Sequence, residues 1–300
     1  MAKLVLIDGY NILHRAYFAL PPNLTTRAGE PINAIYGFVS MLLRIIADLK
    51  PTHIAICFDR EEPTLRKKEF SAYQSQRTPT EDALKSQFKK ARDVAKAFNI
   101  VTFELSGYEA DDLIGTIADK AEKKVDEVIV VTGDKDMLQL VSKKTKAYFP
   151  VRGLSDTQLL GEKEVKEKLG VIPSRVVDYK GLVGDPSDNY PGVAGIGPKT
   201  AQDLLNRFGT FKGVYDHLED VSPSVVKKLK EGKEGGEISL KLAKILKDVP
   251  IEPDFEKMDD WQVDNQKVLD LFSEYGFRTL TNRVKDVGKS IAAENQMKLI

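Results

Sequence analysis

The alternation in the first half of the sequence, up to about Pro150, constrains this chain most. Short apolar runs of four to six residues are separated by longer segments whose apolar residues recur every three or four positions. That pattern predicts an α/β fold, a mostly parallel sheet flanked by helices. Strands are expected at Leu4–Ile7, His53–Phe58, Ile100–Glu104, Glu127–Val131 and Lys146–Phe149. Helices are expected over Ala34–Leu49, Glu81–Phe98, Glu109–Lys123 and Lys135–Val141. Ile35, Phe38, Val39, Leu42, Leu43, Ile46 and Leu49 show the 3.6-residue spacing of one buried face. After Pro150 the strands stop and the pattern becomes all-helical, with segments near Glu162–Leu169, Ser174–Leu182, Lys199–Phe208, Val221–Glu231, Ile238–Leu246 and Asn265–Tyr275.

Composition sets outer limits. The 300 residues suffice for one large domain or two modest ones. Lysine plus arginine number 45 and aspartate plus glutamate also 45, so no global positive field draws the chain onto nucleic acid. Any such binding must come from local charge segregation. The single cysteine, Cys57, lies in an apolar run and reads as a small buried hydrophobe, which excludes disulfides and cysteine zinc sites. The amino terminus lacks a signal-peptide pattern, and no run approaches the roughly 18 apolar residues of a membrane span. A cytoplasmic chain is expected. Lys227–Gly236 reads as a solvated loop or frayed helix end, and the residues from Ser290 as a weakly held tail.

The acids stand at the ends of elements. Asp8 ends the first strand, Asp59 the second, and Asp134 and Asp136 follow the strand closing at Val131. Residues just past the carboxyl ends of parallel strands converge on one rim. Glu109, Asp111 and Asp112 open a helix, and Asp185 and Asp188 come later, giving nine carboxylates in five segments. Taken singly, Glu109, Asp111, Asp134 and Asp136 are explained as well by helix capping. As a set they repel one another unless cations neutralise them. Mg²⁺ or Mn²⁺ suits such oxygen ligands, and two ions about 4 Å apart would serve phosphodiester hydrolysis. An aspartyl-phosphate phosphatase built on Asp8 is disfavoured, because Tyr10 stands where such enzymes carry a second acid.

Downstream, Gly195-Ile-Gly197-Pro-Lys199-Thr200 combines glycines that admit close backbone approach with a proline suited to a first helical turn. Amide groups freed at such a helix start hold phosphate, and Lys199 adds charge. Arg60–Arg77 interleaves five basic residues with Phe70 and Tyr73 directly after Asp59, a composition suited to single-stranded nucleic acid.

Together these motifs resemble the bacterial 5′-nuclease family, the 5′-3′ exonuclease domains of DNA polymerase I and stand-alone flap endonucleases. They are Ile7-Asp8-Gly9, Phe58-Asp59, Gly107-Tyr-Glu-Ala-Asp-Asp112, Thr132-Gly-Asp-Lys-Asp136, Gly184-Asp-x-x-Asp-Asn189 and Gly195-Ile-Gly-x-Lys-Thr200, spread over roughly residues 3 to 285. The resemblance implies a PIN-like core over 1–172 with an arch at about 60–98, a helix-hairpin-helix DNA-binding region over 173–290, and a tail over 291–300. It implies that Asp8, Asp59, Glu109, Asp111, Asp112, Asp134 and Asp136 hold a first metal, its waters or the surrounding positions, and that Asp185 and Asp188 complete a second site. Arg66 and Arg77 would assist catalysis. Arg15, Tyr36, Tyr73, Gly195, Gly197, Lys199 and Thr200 would contact substrate, and the carbonyls of Val193 and Ile196 a potassium ion.

The implied enzyme is a Mg²⁺- or Mn²⁺-dependent structure-specific 5′ nuclease of replication and repair, with 5′-3′ exonuclease and flap endonuclease activity. Its partners would be DNA with 5′ flaps, nicks or ends, RNA-primed DNA, and a DNA polymerase fused or in trans. A cytoplasmic, nucleoid-associated monomer is expected. The alternatives are a catalytically silent branched-DNA binder and a PIN-type ribonuclease. One departure stands out: Gln74 replaces the lysine that usually follows the arch tyrosine, which predicts slower turnover. Leu65 stands where phenylalanine is usual.

Overall fold

The structure, a computed structural model, describes residues 1–152 and 156–297. Strand β1 (Lys3–Asp8) is followed by α1 (Gly9–Ala19) and α2 (Asn33–Leu49), then β2 (His53–Cys57) by α3 (Leu65–Glu69), α4 (Asp82–Lys85) and α5 (Phe88–Ala97). The sheet continues through β3 (Val101–Phe103), α6 (Ala110–Ala121), β4 (Glu127–Val131), β5 (Thr145–Arg152) and β6 (Asp156–Leu160). The remaining helices are α7 (Glu162–Leu169), α8 (Val176–Val183), α9 (Pro198–Phe208), α10 (Phe211–Asp216), α11 (Pro223–Glu231), α12 (Lys233–Ala243), α13 (Gln266–Tyr275) and α14 (Arg278–Met297).

The strand order is β3-β2-β1-β4-β5-β6, parallel from β3 to β5 with β6 antiparallel at the edge. The chain builds outward from β1 to β3, then returns to the other side of β1 for β4. Beside β1 the direction of winding therefore reverses, and such a reversal opens a crevice at the carboxyl ends of the strands. Side-chain alternation fills both faces. Val5, Ile7, Ile54, Ile56, Ile129 and Val131 pack under α2, α5, α13 and α14, whereas Leu4, Leu6, Ala55, Cys57, Val128 and Val130 pack under α6. Cys57 is fully buried, as expected. Gly9 lets the chain leave β1 tightly, since a Cβ there would lie 2.4 Å from the Phe58 ring.

A third apolar cluster joins β5, β6 and α7 to helices α8 through α11, so residue 172 falls within continuous packing.

Several expectations fail for physical reasons. Strands do not stop at Pro150: β6 follows, but only its Leu160 is buried, so it carries no apolar alternation to read. Lys227–Gly236 is not a loop but spans α11 and α12, interrupted at Gly232. Its glycines are packing devices, because a Cβ at Gly236 would lie 2.7 Å from the Phe211 ring. The tail from Ser290 continues α14, where Ile291 packs on the first cluster and Glu294 pairs with Lys50; residues 298–300 lie outside the described residues. The helix expected over Glu81–Phe98 breaks at Ser86–Gln87, where the buried Gln87 amide bonds to Asn33, Ala83 and the Ile35 N–H. Lys135–Val141 is a 3₁₀ turn at Asp136–Leu140. The helix expected over Ile238–Leu246 ends at Ala243.

Candidate active site

The crevice beside β1 is lined with acid. Asp8 caps α1, accepting from the Asn11 N–H at 3.1 Å and from the Thr132 hydroxyl at 3.1 Å. Asp59, two residues beyond the pairing of Asp8 with Cys57, accepts from the Ala110 N–H at 2.8 Å at the start of α6. Asp134 accepts from the Asp136 N–H at 2.8 Å and Glu109 from the Thr64 hydroxyl at 3.0 Å. With Asp111 and Asp188 these residues line a cavity of about 380 Å³. Helix starts supply the amides, so the capping and clustering roles of these acids coincide.

Their electrostatics are unusual. Burial, then the charges of Asp59 and Asp134, push Asp8 up to about 7. Burial likewise raises Glu109 to about 7 and Asp134 to about 6, the latter with Asp136 beside it. Asp59 and Asp111 are raised by burial too, Asp111 well above the usual range with Asp134 and Asp8 as its nearest repulsive neighbours.

The other acids have internal partners. Asp112 is 1% exposed and takes both guanidinium nitrogens of Arg66 at 2.7 Å. Arg66 further donates to the carbonyls of Leu242 at 2.9 Å and Lys244 at 2.7 Å, and lies 3.3 Å from Glu109. Arg66 and Asp112 form a buried clamp tying α3 to α6 and to the end of α12, in which every Arg66 nitrogen has a partner within the fold. Lys180 on α8 contacts both Asp136 and Asp185. Burial acts to raise Asp185, but Lys180 and Ser187 outweigh it and hold that carboxyl below its usual range. Burial acts to raise Asp136 as well, and there it prevails over Lys180 and the Tyr190 hydroxyl at 2.8 Å.

The segment after Asp59 lies across the cavity. Tyr73 is buried and donates to Glu109 at 3.2 Å and Asp188 at 3.4 Å, and Arg77 donates through Nε to Asp188 at 3.0 Å. Gln74 lines the cavity with φ +54, its N–H donating to the Asp188 carbonyl at 2.9 Å. Asp185 and Asp188 project from a turn closed by an Asp185–Tyr190 bridge. Gly184 and Gly192, both with positive φ, touch backbone to backbone beneath it; a Cβ on Gly192 would lie 2.3 Å from the Gly184 nitrogen.

Farther along, Gly195 has φ +79, Gly197 precedes α9, and Pro198 takes its first position. Lys199 is exposed and Thr200 half-buried. The Val193 carbonyl accepts from the Ile196 N–H at 3.0 Å, and Lys228 donates to the Gly195 carbonyl at 3.1 Å. Arg15 donates to the Pro150 carbonyl at 3.1 Å. Tyr36 packs edge-on against Phe277 at 5.3 Å and does not line the cavity. Asn11, His14 and Thr64 do line it and were not singled out in the sequence, and Tyr10 and Arg60, noted there on other grounds, line it as well. For Asn11 and His14 the available signal was their place in the first turns after Asp8; Lys180 could have been found as the charge inside the apolar run of α8.

Comparison with known proteins decides the family. Residues 3–170 match the family described as 5′-3′ exonuclease, N-terminal resolvase-like domain, and residues 171–266 its C-terminal SAM fold. The chain belongs to the 5′-3′ exonuclease family. DNA polymerase I of Bacillus caldotenax is 40% identical over 284 residues, covering 94% of this chain and 32% of that protein. DNA polymerase I of Mycobacterium tuberculosis is 36% identical over 286 residues, covering 94% and 31%. The chain thus spans about a third of the length of the curated relatives it matches. Among solved structures, T5 5′-exonuclease with bound zinc aligns with TM-score 0.67 at 21% identity, covering 95% of this chain and 98% of that one. The catalytic core of Rad2 in complex with DNA substrate aligns with TM-score 0.60 at 14% identity, covering 95% and 90%. These two likenesses show a shared fold. Membership makes the chain a nuclease, and the mostly parallel sheet followed by a helical SAM-like region is the family's architecture. Among the described residues no helix is long and apolar enough to cross a membrane.

Proposed function

We propose that this chain is a divalent-metal-dependent, structure-specific 5′ nuclease that cuts 5′ flaps, nicked or 5′-ended DNA and RNA-primed DNA in replication and repair. One observation carries the reading: four carboxylates, Asp8, Asp59, Asp111 and Asp134, line one cavity with no ion pair among the described residues, while Glu109, Asp112, Asp136, Asp185 and Asp188 on the same rim are paired from within. Among the described residues no three acidic, histidine or cysteine side chains converge as a closed metal cage would require. Mg²⁺ does not need one, since it keeps several waters and takes one or two carboxylates. The donor set is all oxygen, and the buried Asp136 Oδ1 already faces a cation, the Lys180 ammonium.

Asp8, Asp59, Glu109, Asp111 and Asp134 would hold a first ion or its waters, and Asp136, Asp185 and Asp188 a second. Bound there, such ions polarise a phosphodiester and the attacking water. Water adds to phosphorus, the bond to the 3′ oxygen breaks, and that oxygen leaves with a proton as a 3′-hydroxyl opposite a 5′-phosphate. Tyr73 and Arg77 would position the strand above the carboxylates, with Arg77 offsetting phosphate charge. The helix start at Gly197–Thr200 would grip a duplex phosphate, and the Val193 and Ile196 carbonyls would take potassium. Phosphate contacts make binding fall steeply with salt. The chain acts as a cytoplasmic, nucleoid-associated monomer beside or fused to a DNA polymerase.

The test is a labelled 5′-flap duplex incubated with Mg²⁺, with EDTA, and with Asp134→Ala in Mg²⁺. Cleavage in the first alone supports the reading; uncut DNA in all three would make the chain a branched-DNA binder.

A further inference from the structure

We propose that the Lys180 ammonium is a resident counter-ion, holding Asp136 and Asp185 together until a second divalent ion displaces it. The inference rests on the metal-dependent reading above and adds a residue to it.

Three observations support the exchange. The Lys180 nitrogen touches a carboxylate oxygen of Asp136 from the core and one of Asp185 from the helical region, so two oxygens from distant segments lie within reach of a single cation. The Asp136 oxygen involved, Oδ1, is buried, and among the described residues no group other than the ammonium hydrogen-bonds to it. Its companion oxygen is held by the Tyr190 hydroxyl at 2.8 Å, which fixes the carboxylate's direction independently of the lysine. Asp185 is fixed as well, since the turn carrying it is locked by the Gly184–Gly192 contact and by the Gly192 N–H bond to the Ser239 hydroxyl at 2.7 Å. Withdrawal of Lys180 therefore leaves both carboxylates in place.

Charge requires that withdrawal. Two carboxylates and one ammonium leave one net negative charge, and replacing the ammonium with a divalent ion leaves none. A divalent ion added beside the ammonium sets like charges against each other. The contrast with Arg66 shows why one cation can leave and the other stays. Arg66 is pinned by a bidentate carboxylate and two backbone carbonyls in the fixed fork of its guanidinium. Lys180 is a point charge on a flexible four-carbon stem.

The experiment is Mn²⁺ titration of the full chain without DNA, followed by calorimetry and water-proton relaxation. Wild type should take one ion readily and a second weakly. Lys180→Met should bind the second about tenfold more tightly, the scale on which one neighbouring charge alters a buried site, and Lys180→Arg should leave it weak. A lysine that only held the fold together would give the opposite sign, with weaker binding in Lys180→Met. Should that variant not fold, the ¹⁵Nζ resonance of Lys180 in the wild-type chain serves instead: it should move as Mg²⁺ fills the second site and not the first. An unmoved resonance at saturation, or two equal sites in wild type, overturns the role of Lys180 while flap cleavage stands. No ion bound by any form, with the flap uncut, overturns the metal-dependent reading and this inference together.

Discussion

Two stretches of the same acidic rim behave in opposite ways. On one, Asp112 meets Arg66, and Asp136 and Asp185 meet Lys180, so the fold supplies its own cations. On the other, Asp8, Asp59, Asp111 and Asp134 face one cavity, where burial first and neighbouring carboxylates second raise their proton affinity. The residue types are the same and the burial is comparable. The difference teaches that an acidic cluster is read by its counter-charges: acids with a cation of the fold are held in place by it, firmly at Arg66 and exchangeably at Lys180, and the uncompensated ones await a cation from outside.

The sharpest way to break that contrast is to remove one acid from each stretch. Asp111→Asn should lower single-turnover flap cleavage about 10²- to 10³-fold or more, the scale of losing one preorganised electrostatic group. The same change should raise the melting temperature in EDTA at pH 8, because it removes repulsion. Asp112→Ala should do the reverse to the fold, costing about 3–5 kcal/mol in urea unfolding because the buried Arg66 loses its bidentate carboxylate. Equal losses of stability in the two variants would erase the distinction.

The pH dependence sharpens it further. A carboxyl whose folded-state value is raised binds protons better in the folded state, so its contribution is present at low pH and is lost as pH rises. With Asp8 and Glu109 near 7 and Asp134 near 6, metal-free protein should lose stability between about pH 4 and 7. Mg²⁺ should restore melting temperature strongly at pH 8 and little at pH 5, as followed by scanning calorimetry. A metal increment independent of pH would contradict the raised proton affinity of these acids.

The smallest expected effect concerns Gln74. Gln74→Lys places a cation at the cavity rim and should raise single-turnover cleavage by a few-fold to about tenfold. An unchanged or lower rate would show that Arg77 already supplies the charge.

Much of the frame was legible in the sequence. Strands β1, β2 and β4 stood out because each is buried on both faces, and Asp8, Asp59 and Asp134 could be placed at the rim because strand ends share an edge. Which acids are compensated was not legible. Arg66 lies 46 residues from Asp112, and Lys180 lies 44 from Asp136, so only the folded chain pairs them. Helix α12 was hidden because its glycines read as loop residues until packing against Phe211 gives them a use. Strand β6 was hidden because an edge strand burying only Leu160 leaves no periodic trace.

The most direct measurement is the structure of crystals soaked in Mn²⁺, with anomalous scattering recorded at the manganese edge. An anomalous peak should stand between Asp8 and Asp134 in the cavity, and none between Asp112 and Arg66. A cavity without a peak, its carboxylates turned away from one another at saturating Mn²⁺, would contradict that expectation.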